Sequence, residues 1–487
     1  MQQDTAISLL GGDSVDDTSD FRSALPINMV AINKEILNAK GYLLMHSGLT
    51  FFASGEGIDR GAIWNQRMKI HFRVSGQKLI AIDAGGSTVV LGAIEGLDSV
   101  SMPYSFNTQA IVADGRYYLY DPVGGFREVV DIISPPAPPE DQSIVGDPID
   151  AVFLDGYYVF IDEENVYHTN LTNEAKIDAL SFGTAEISPD PNVGLGVTVD
   201  NKLMIFGRYS IEYMNNVATE NFAFSRIPSR AIKTGLIGTH AKVQIENVWY
   251  FMGGRKESDI SIYAVTVGMA EMMSSREVNK VLNKYSEDDL ADAVLEGRVE
   301  DDQHYLIVHL QHDSLMFNIG LAKVLGLDQA WTRLKSDVQS ENPWRGKHGV
   351  FDPRLAKFVY GDRQNQAIGI LDDSVTTHYD HLVEYAMFTP FIQLEEMSID
   401  EVQVDTIAGY TKDKDATVAI SITYDGEHYS REWWAHYGLP SEYQKRFIAR
   451  RLGYTRRLGY IRHWFALKFR IASRSRMAFA LCKIKFS

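Results

Sequence analysis

One feature limits what this chain can fold into more than any other: a two-stranded hairpin recurs about seven times along it. In the clearest copy, Ala151 to Leu154 runs into Asp155-Gly156 and out through Tyr157 to Ile161. Asp-Gly suits that place because a type I′ turn needs φ > 0 at both central residues. Further copies turn at Asp114-Gly115, at Asp200-Asn201 and at Ser75-Gly76. Weaker ones turn at Glu246-Asn247, at Asp301-Asp302 and across Asp352-Pro353-Arg354. The copies lie roughly 40–55 residues apart, which is the length of one four-stranded propeller blade. A β-sandwich, or a pair of them, is the plainer alternative. Seven similar units favour a ring, because a blade cannot bury both faces until its neighbours stack on it.

Two interruptions stand out. Pro135-Pro136-Ala137-Pro138-Pro139 blocks helix and central strand alike, so 135–140 is expected to be an extended linker. Ser275 to Leu295 has helical periodicity, and Ser286 with Asp289 resembles a capping box. A small helical insertion is expected over about 270–297. The expected fold is all-β. An extended N-terminal arm (1–40) docks elsewhere, a propeller of about seven blades spans 41–387, and a basic β-sandwich spans 388–487.

Composition narrows the function. The chain has 487 residues, a net charge of −17, and 24 tyrosines and 23 phenylalanines, which suit strands. The acidic balance argues against a surface coated by nucleic acid. The single cysteine, Cys482, allows no intrachain disulfide. The N-terminus lacks a basic, apolar secretory signal, so Asn170-Leu171-Thr172 carries no glycosylation meaning. No apolar run reaches the ~18 residues needed to span a bilayer.

Most candidate chemistry dissolves on inspection. His309 and His312 sit three apart on an expected strand, so they point to opposite faces and do not converge on a metal. His378, Asp380 and His381 read as a solvated linker. Gly55, Gly57 and Gly61 do not open a helix as a dinucleotide fingerprint would. Asp425-Gly426 only superficially resembles a glycosidase turn motif, and Cys482 shows no sign of activation. No catalytic, cofactor or metal residue is assigned.

The basic C-terminal stretch is the best functional candidate. Arg450, Arg451 and Tyr454 are echoed by Arg456, Arg457 and Tyr460, so guanidinium groups interleave with aromatics. A solvated strand face is the plain reading. As an interface it suits an acidic protein partner first and DNA second.

Residues spread along the chain also carry a family likeness. Leu25 to Met29, Lys34 to Asn38, Gly41 to Leu43, Arg60-Gly61, Arg73-Val74 and Lys78-Leu79 are among them. They continue with Phe206-Gly207, Ser210 to Tyr213, Phe388-Thr389-Pro390, Asp425-Gly426 with Arg431-Glu432, and the closing Arg-rich segment. In this order they resemble the packaged-DNA stabilisation proteins of short-tailed bacteriophages. The resemblance implies a non-enzymatic tail hub without cofactor, in the virion tail and assembled in the host cytoplasm. It implies a ring of six copies below the portal and its adaptor. Such a ring would close the head, retain packaged double-stranded DNA, hold a tail needle and tailspikes, and leave a channel for ejection. No membrane is involved. The competing expectation is a glycan-binding or glycan-cleaving propeller acting on a host surface, with clustered aromatics or paired carboxylates on one face.

Overall fold

A computed structural model describes residues 3–486 except 11, 16–20, 36–38, 130–146, 172, 179, 186–187, 220, 267, 394–397, 407–410, 412–413, 415 and 455–463. The Pro-rich segment therefore lies outside the described residues. Seven antiparallel sheets follow one another along the chain as blades. Blade 1 is Asp59–Asn65, Ile70–Ser75, Lys78–Ile82 and Thr88–Ala93. Blade 2 is Gln109–Ala113, Arg116–Asp121 and Gly125–Glu128, with the segment from Ser101 to Tyr104 in the place of a first strand, bridging to Val112 and Gln109. Blades 3 to 6 begin at Asp150–Leu154, Asn192–Val197, Gly235–Leu236 and Val294–Glu300. Blade 7 holds Gly346–Asp352, Lys357–Asp362 and Ala367–Asp372, and its outer strand is Gly48–Ser54 from the other end of the chain. Ala367 pairs with Ser54 and Asp372 with Gly48, so the N-terminal side closes the ring.

Turn chemistry explains why these hairpins form where they do. Both central residues are left-handed at Asp114-Gly115 (φ 50° and 68°), Asp155-Gly156 (53° and 91°) and Asp301-Asp302 (49° and 60°). The turn expected at Ser75-Gly76 is instead Gly76-Gln77, because Ser75 pairs with Lys78 and only Gly76 is left-handed. At Asp200-Asn201 the loop is longer: Thr198 N–H bonds Lys202 O, and Asn201 alone has φ > 0. The blades then pack aromatic on aromatic. Tyr117 meets Phe160 edge-on at 4.7 Å, and Phe160 stacks on Tyr167 at 5.6 Å, each contact adding about 0.5–1.5 kcal/mol beyond burial.

Two short helices, α1 (Arg276–Leu282) and α2 (Glu287–Ala291), sit between blades 5 and 6. Ser275 caps the first, and Ser286 and Asp289 form a full capping box on the second.

The C-terminal β-sandwich has two sheets. In the first, Ser398–Thr406 lies between Phe447–Tyr454 and Ala478–Phe486. In the second, Trp464–Ile471 pairs with Tyr385–Phe388 on one side and with Thr417–Thr423 on the other, followed by Trp433–His436. The chain's first residues complete it: Gln3–Ser8 and Tyr42–Met45 both pair with Ala478–Phe486, and Met29–Ile32 extends that edge. This differs from the boundaries read at residues 40 and 387. Tyr42–Met45 and Tyr385–Phe388 belong to the sandwich, because they pair with Ala478–Phe486 and Trp464–Ile471 respectively.

Asn28 ties the junction together. It is almost fully buried with φ 54°. Its side-chain N–H donates to Lys335 O (2.8 Å) and Glu384 O (2.7 Å), and its Oδ1 accepts from Lys335 N (2.9 Å). Asn28→Ala leaves three buried backbone groups unsatisfied and should cost about 2–3 kcal/mol. Urea denaturation checks this, and a wild-type midpoint would refute it.

Candidate functional site

Two regions could do the work of this fold: the propeller axis and the open edge of the sandwich. The axis is lined by the first strands of the blades, and it is filled with ion pairs. Asp150 accepts from Lys242 Nζ (2.7 Å), Leu195 N (2.8 Å) and Ser101 Oγ (2.5 Å), joining blades 2, 3, 4 and 5. Glu296 accepts from the backbone N–H groups of His348 and Gly349 and faces His309 Nε2 at 3.2 Å. Burial pushes the Glu296 carboxyl up, but His309 and these amides outweigh it and hold the pKa at about 2. Asp59 takes Arg73 Nη1 and His348 Nδ1, each at 2.7 Å. His240 reaches across to Ser99 O at 3.1 Å.

What remains open is a cavity of ≈ 370 Å³ lined by Ala62, His240, Lys242, Glu296 and His348 among others. That space holds a small molecule, not a duplex whose major groove alone is about 12 Å wide. These axial carboxylates are also poorly suited to cleaving glycans. A general acid needs a raised pKa, whereas Glu296 is depressed, and Asp59 and Asp150 are each bound to a cation.

At the sandwich, the last 44 residues carry thirteen lysines and arginines and no aspartate or glutamate. The fold neutralises much of this charge with acids from earlier strands. Glu401 sits between Arg450 (3.0 Å) and Lys485 (2.9 Å), and these two cations, Lys485 first, hold its carboxyl below the usual range. Lys483 pairs with Asp405 at 2.6 Å, Arg470 with Glu432 at 2.6 Å, and Arg476 with Asp373 at 3.3 Å. Exposed pairs like Arg450–Glu401 stabilise little, about 0–1 kcal/mol, and can be exchanged for a partner's charges. Arg450 is exposed on Phe447–Tyr454; Arg451 and Tyr454 lie on the same strand, and Arg456, Arg457 and Tyr460 fall outside the described residues.

Beside that strand runs Trp433–His436, the end strand of the second sheet, with Trp433 46% and Trp434 58% exposed. Neither tryptophan is singled out by the sequence reading. The signal was present nonetheless: adjacent residues on a strand face opposite ways, so a Trp-Trp pair cannot bury both rings on one side.

The remaining motifs resolve as structure. Buried His309 stacks on Trp344, while His312 stacks on Tyr285, so the two do not converge. His378 is not in a solvated linker: it is buried, accepts or donates at Ser336 Oγ (2.8 Å), and bridges to Leu49. Gly55 and Gly57 are small because the chain presses there against Ser75 and Gly76. Asp425 folds back on the amides of Glu427 and His428. Cys482 is buried, which pushes its thiol up and away from reactivity. Among the described residues no group of three or more His, Cys, Asp or Glu could hold a metal, and no helix is long and apolar enough to cross a membrane.

A propeller with a filled axis, joined to a sandwich edged with arginine and tryptophan, defines a protein that works through its surfaces. Residues 5–376 match the family model described as Bacteriophage P22 Gp10, beta-propeller, and residues 384–487 match its beta-sandwich counterpart. The chain belongs to this P22 Gp10 family, whose proteins are structural and not enzymes. It is 27% identical over 473 residues to the tail hub protein gp10 of Salmonella phage P22, covering 96% of each chain. Solved structures that the chain matches include a streptogramin B lyase (11% identity, 68% of this chain and 97% of that one, TM-score 0.40). Another is YCF48 from Cyanidioschyzon merolae (11% identity, 65% and 96%, TM-score 0.39).

Proposed function

We propose that the protein is the structural tail hub of a short-tailed phage, acting as a ring of six copies below the portal and its adaptor. The observation that carries this reading is the end-to-end match to a tail hub protein, through both propeller and sandwich. The ring closes the filled head, retains the packaged DNA, and holds the tail needle and tailspikes. Because each propeller axis is packed with ion pairs, the ejection channel runs between copies and not through one. The Arg450–Tyr460 segment contacts the acidic face of a neighbouring subunit, in keeping with a chain of net charge −17 whose basic charge collects at one end.

Electron microscopy of the purified protein mixed with a portal–adaptor complex tests the hub directly. An added ring at the tail-side end is expected, and its absence overturns the reading. Reversing Arg450, Arg451, Arg456 and Arg457 to glutamate should weaken ring addition. Normal rings that leak DNA would instead place this segment on the nucleic acid.

A further inference from the structure

Both sheets of the sandwich end on the same side, with Trp433–His436 beside Phe447–Tyr454. Among the described residues, neither strand pairs with anything beyond its own sheet. Trp433 and Trp434 stand half-exposed there; exposed Arg431 precedes them in the chain, and exposed Arg446 and Arg450 lie at the start of and along the neighbouring strand. Large exposed aromatic rings with arginines nearby are what interface hot spots are made of. Trp434 is also held in place: the Arg470 guanidinium lies 5.8 Å over its ring, and Glu432 grips Arg470 through two hydrogen bonds of 2.6 and 2.7 Å. A side chain fixed before contact loses little entropy on binding.

We propose that this tryptophan edge is the docking site for a second copy of the chain, which seats an acidic surface of its propeller against it. The inference rests on the ring described above and gives it a contact. Charge selects the occupant. The last 44 residues hold thirteen basic side chains and no acid, yet the whole chain stands at −17, so the rest of the molecule is the complementary partner. Nucleic acid fits less well. A chain of net charge −17 repels a polyanion over most of its surface. The edge and the acidic surface are different patches, so the contact is head-to-tail and can close into a ring.

The test is sedimentation velocity on the full chain at low and high salt. The wild type should self-associate at low salt and dissociate as salt screens the pairing. Trp433→Gln with Trp434→Gln should weaken self-association by at least tenfold, about the loss expected for a hot spot, at unchanged thermal midpoint. Trp434→Phe alone, which keeps an aromatic anchor, should retain most of it. Equal self-association in the double variant overturns the proposal. So does a wild type that stays monomeric in solution yet still adds a ring to the portal–adaptor complex, an outcome that leaves the hub standing. Loss of duplex-DNA binding in the double variant, with self-association intact, overturns it in favour of nucleic acid.

Discussion

Asp59→Ala should destabilise the propeller by about 3–5 kcal/mol, the cost of stranding a buried cation. Asp59 and Arg73 are both nearly inaccessible, and their 2.7 Å ion pair is a buried one. Arg73 also donates to His348 O (3.0 Å) and Val359 O (3.1 Å), and Asp59 takes His348 Nδ1. These bonds run from blade 1 to blade 7, across the seam where the ring closes. Removing the carboxylate leaves a guanidinium in the core with only neutral oxygens for company. The loss would be a third or more of the stability of an ordinary domain. Arg73→Met in the Asp59→Ala background should recover part of it, because an apolar side chain of similar length needs no counter-charge. Urea unfolding of the two single variants and the double variant measures the coupling. If Asp59→Ala shifts stability by less than about 0.5 kcal/mol, as a surface change would, the seam is not held this way.

How much of the ring was legible follows from which of its determinants are local. Asp155-Gly156 and Asp114-Gly115 announce themselves because the left-handed backbone they need is costly for most residues. The phase of the repeat does not. The hairpins at Gly76-Gln77 and Asp114-Gly115 join the second and third strands of their blades, whereas that at Asp155-Gly156 joins the first and second. A strand's sequence records its pleat and burial but not its place in a sheet. The closing strand Gly48–Ser54 is hidden for the same reason, since its partner lies over 300 residues away. The N-terminal residues likewise read as an arm, because nothing local in Gln3–Ser8 says that its partner is Ala478–Phe486.

The candidate site was legible in charge but not in geometry. The run of arginines after Lys445 is plain, while the acids that answer it are scattered. Glu401, Asp405 and Glu432 look like ordinary surface residues until pairing puts them across from Arg450, Lys483 and Arg470. The tryptophans at 433 and 434 could have been singled out by strand alternation, yet their use depends on a neighbouring strand from the other sheet. The buried histidines were equally silent. His378 in a polar stretch reads as solvent-exposed, and only the pairing of Leu49 beside it takes it out of water.

Those histidines make stability depend steeply on acid. Burial pushes the pKa of His71 down to about 4, reinforced by nearby Arg73 and Arg354 and opposed by its bond to Asp352. Burial, with Arg345, takes His378 to about 3. His46 and His309 are lowered by burial as well; Arg298 adds to the effect at His46, while Glu296 opposes it at His309. All four are nearly inaccessible in the fold. His71, His378 and His46 are neutral when folded and take up their protons only on unfolding, where the pKa is about 6.5. The unfolded chain therefore binds more protons between pH 6.5 and the folded values, so stability falls as pH drops through that window. At pH 5 a histidine held at 4 or below, as His71 and His378 are, costs about 2 kcal/mol, and the two together remove a large part of the stability of an ordinary domain. The depressed carboxylates act lower down. Glu296 and Asp352 withdraw their contributions only below the ordinary carboxylate range, about pH 4, so the loss between pH 6.5 and 5 belongs to the histidines. Urea midpoints should hold from pH 8 to 7 and then fall steeply towards pH 5. His71→Gln should flatten the fall by about 2 kcal/mol at pH 5, relative to the same variant at pH 7.5. A midpoint that stays level from pH 7.5 to 5 would mean that these rings are protonated, or reached by water, inside the folded chain.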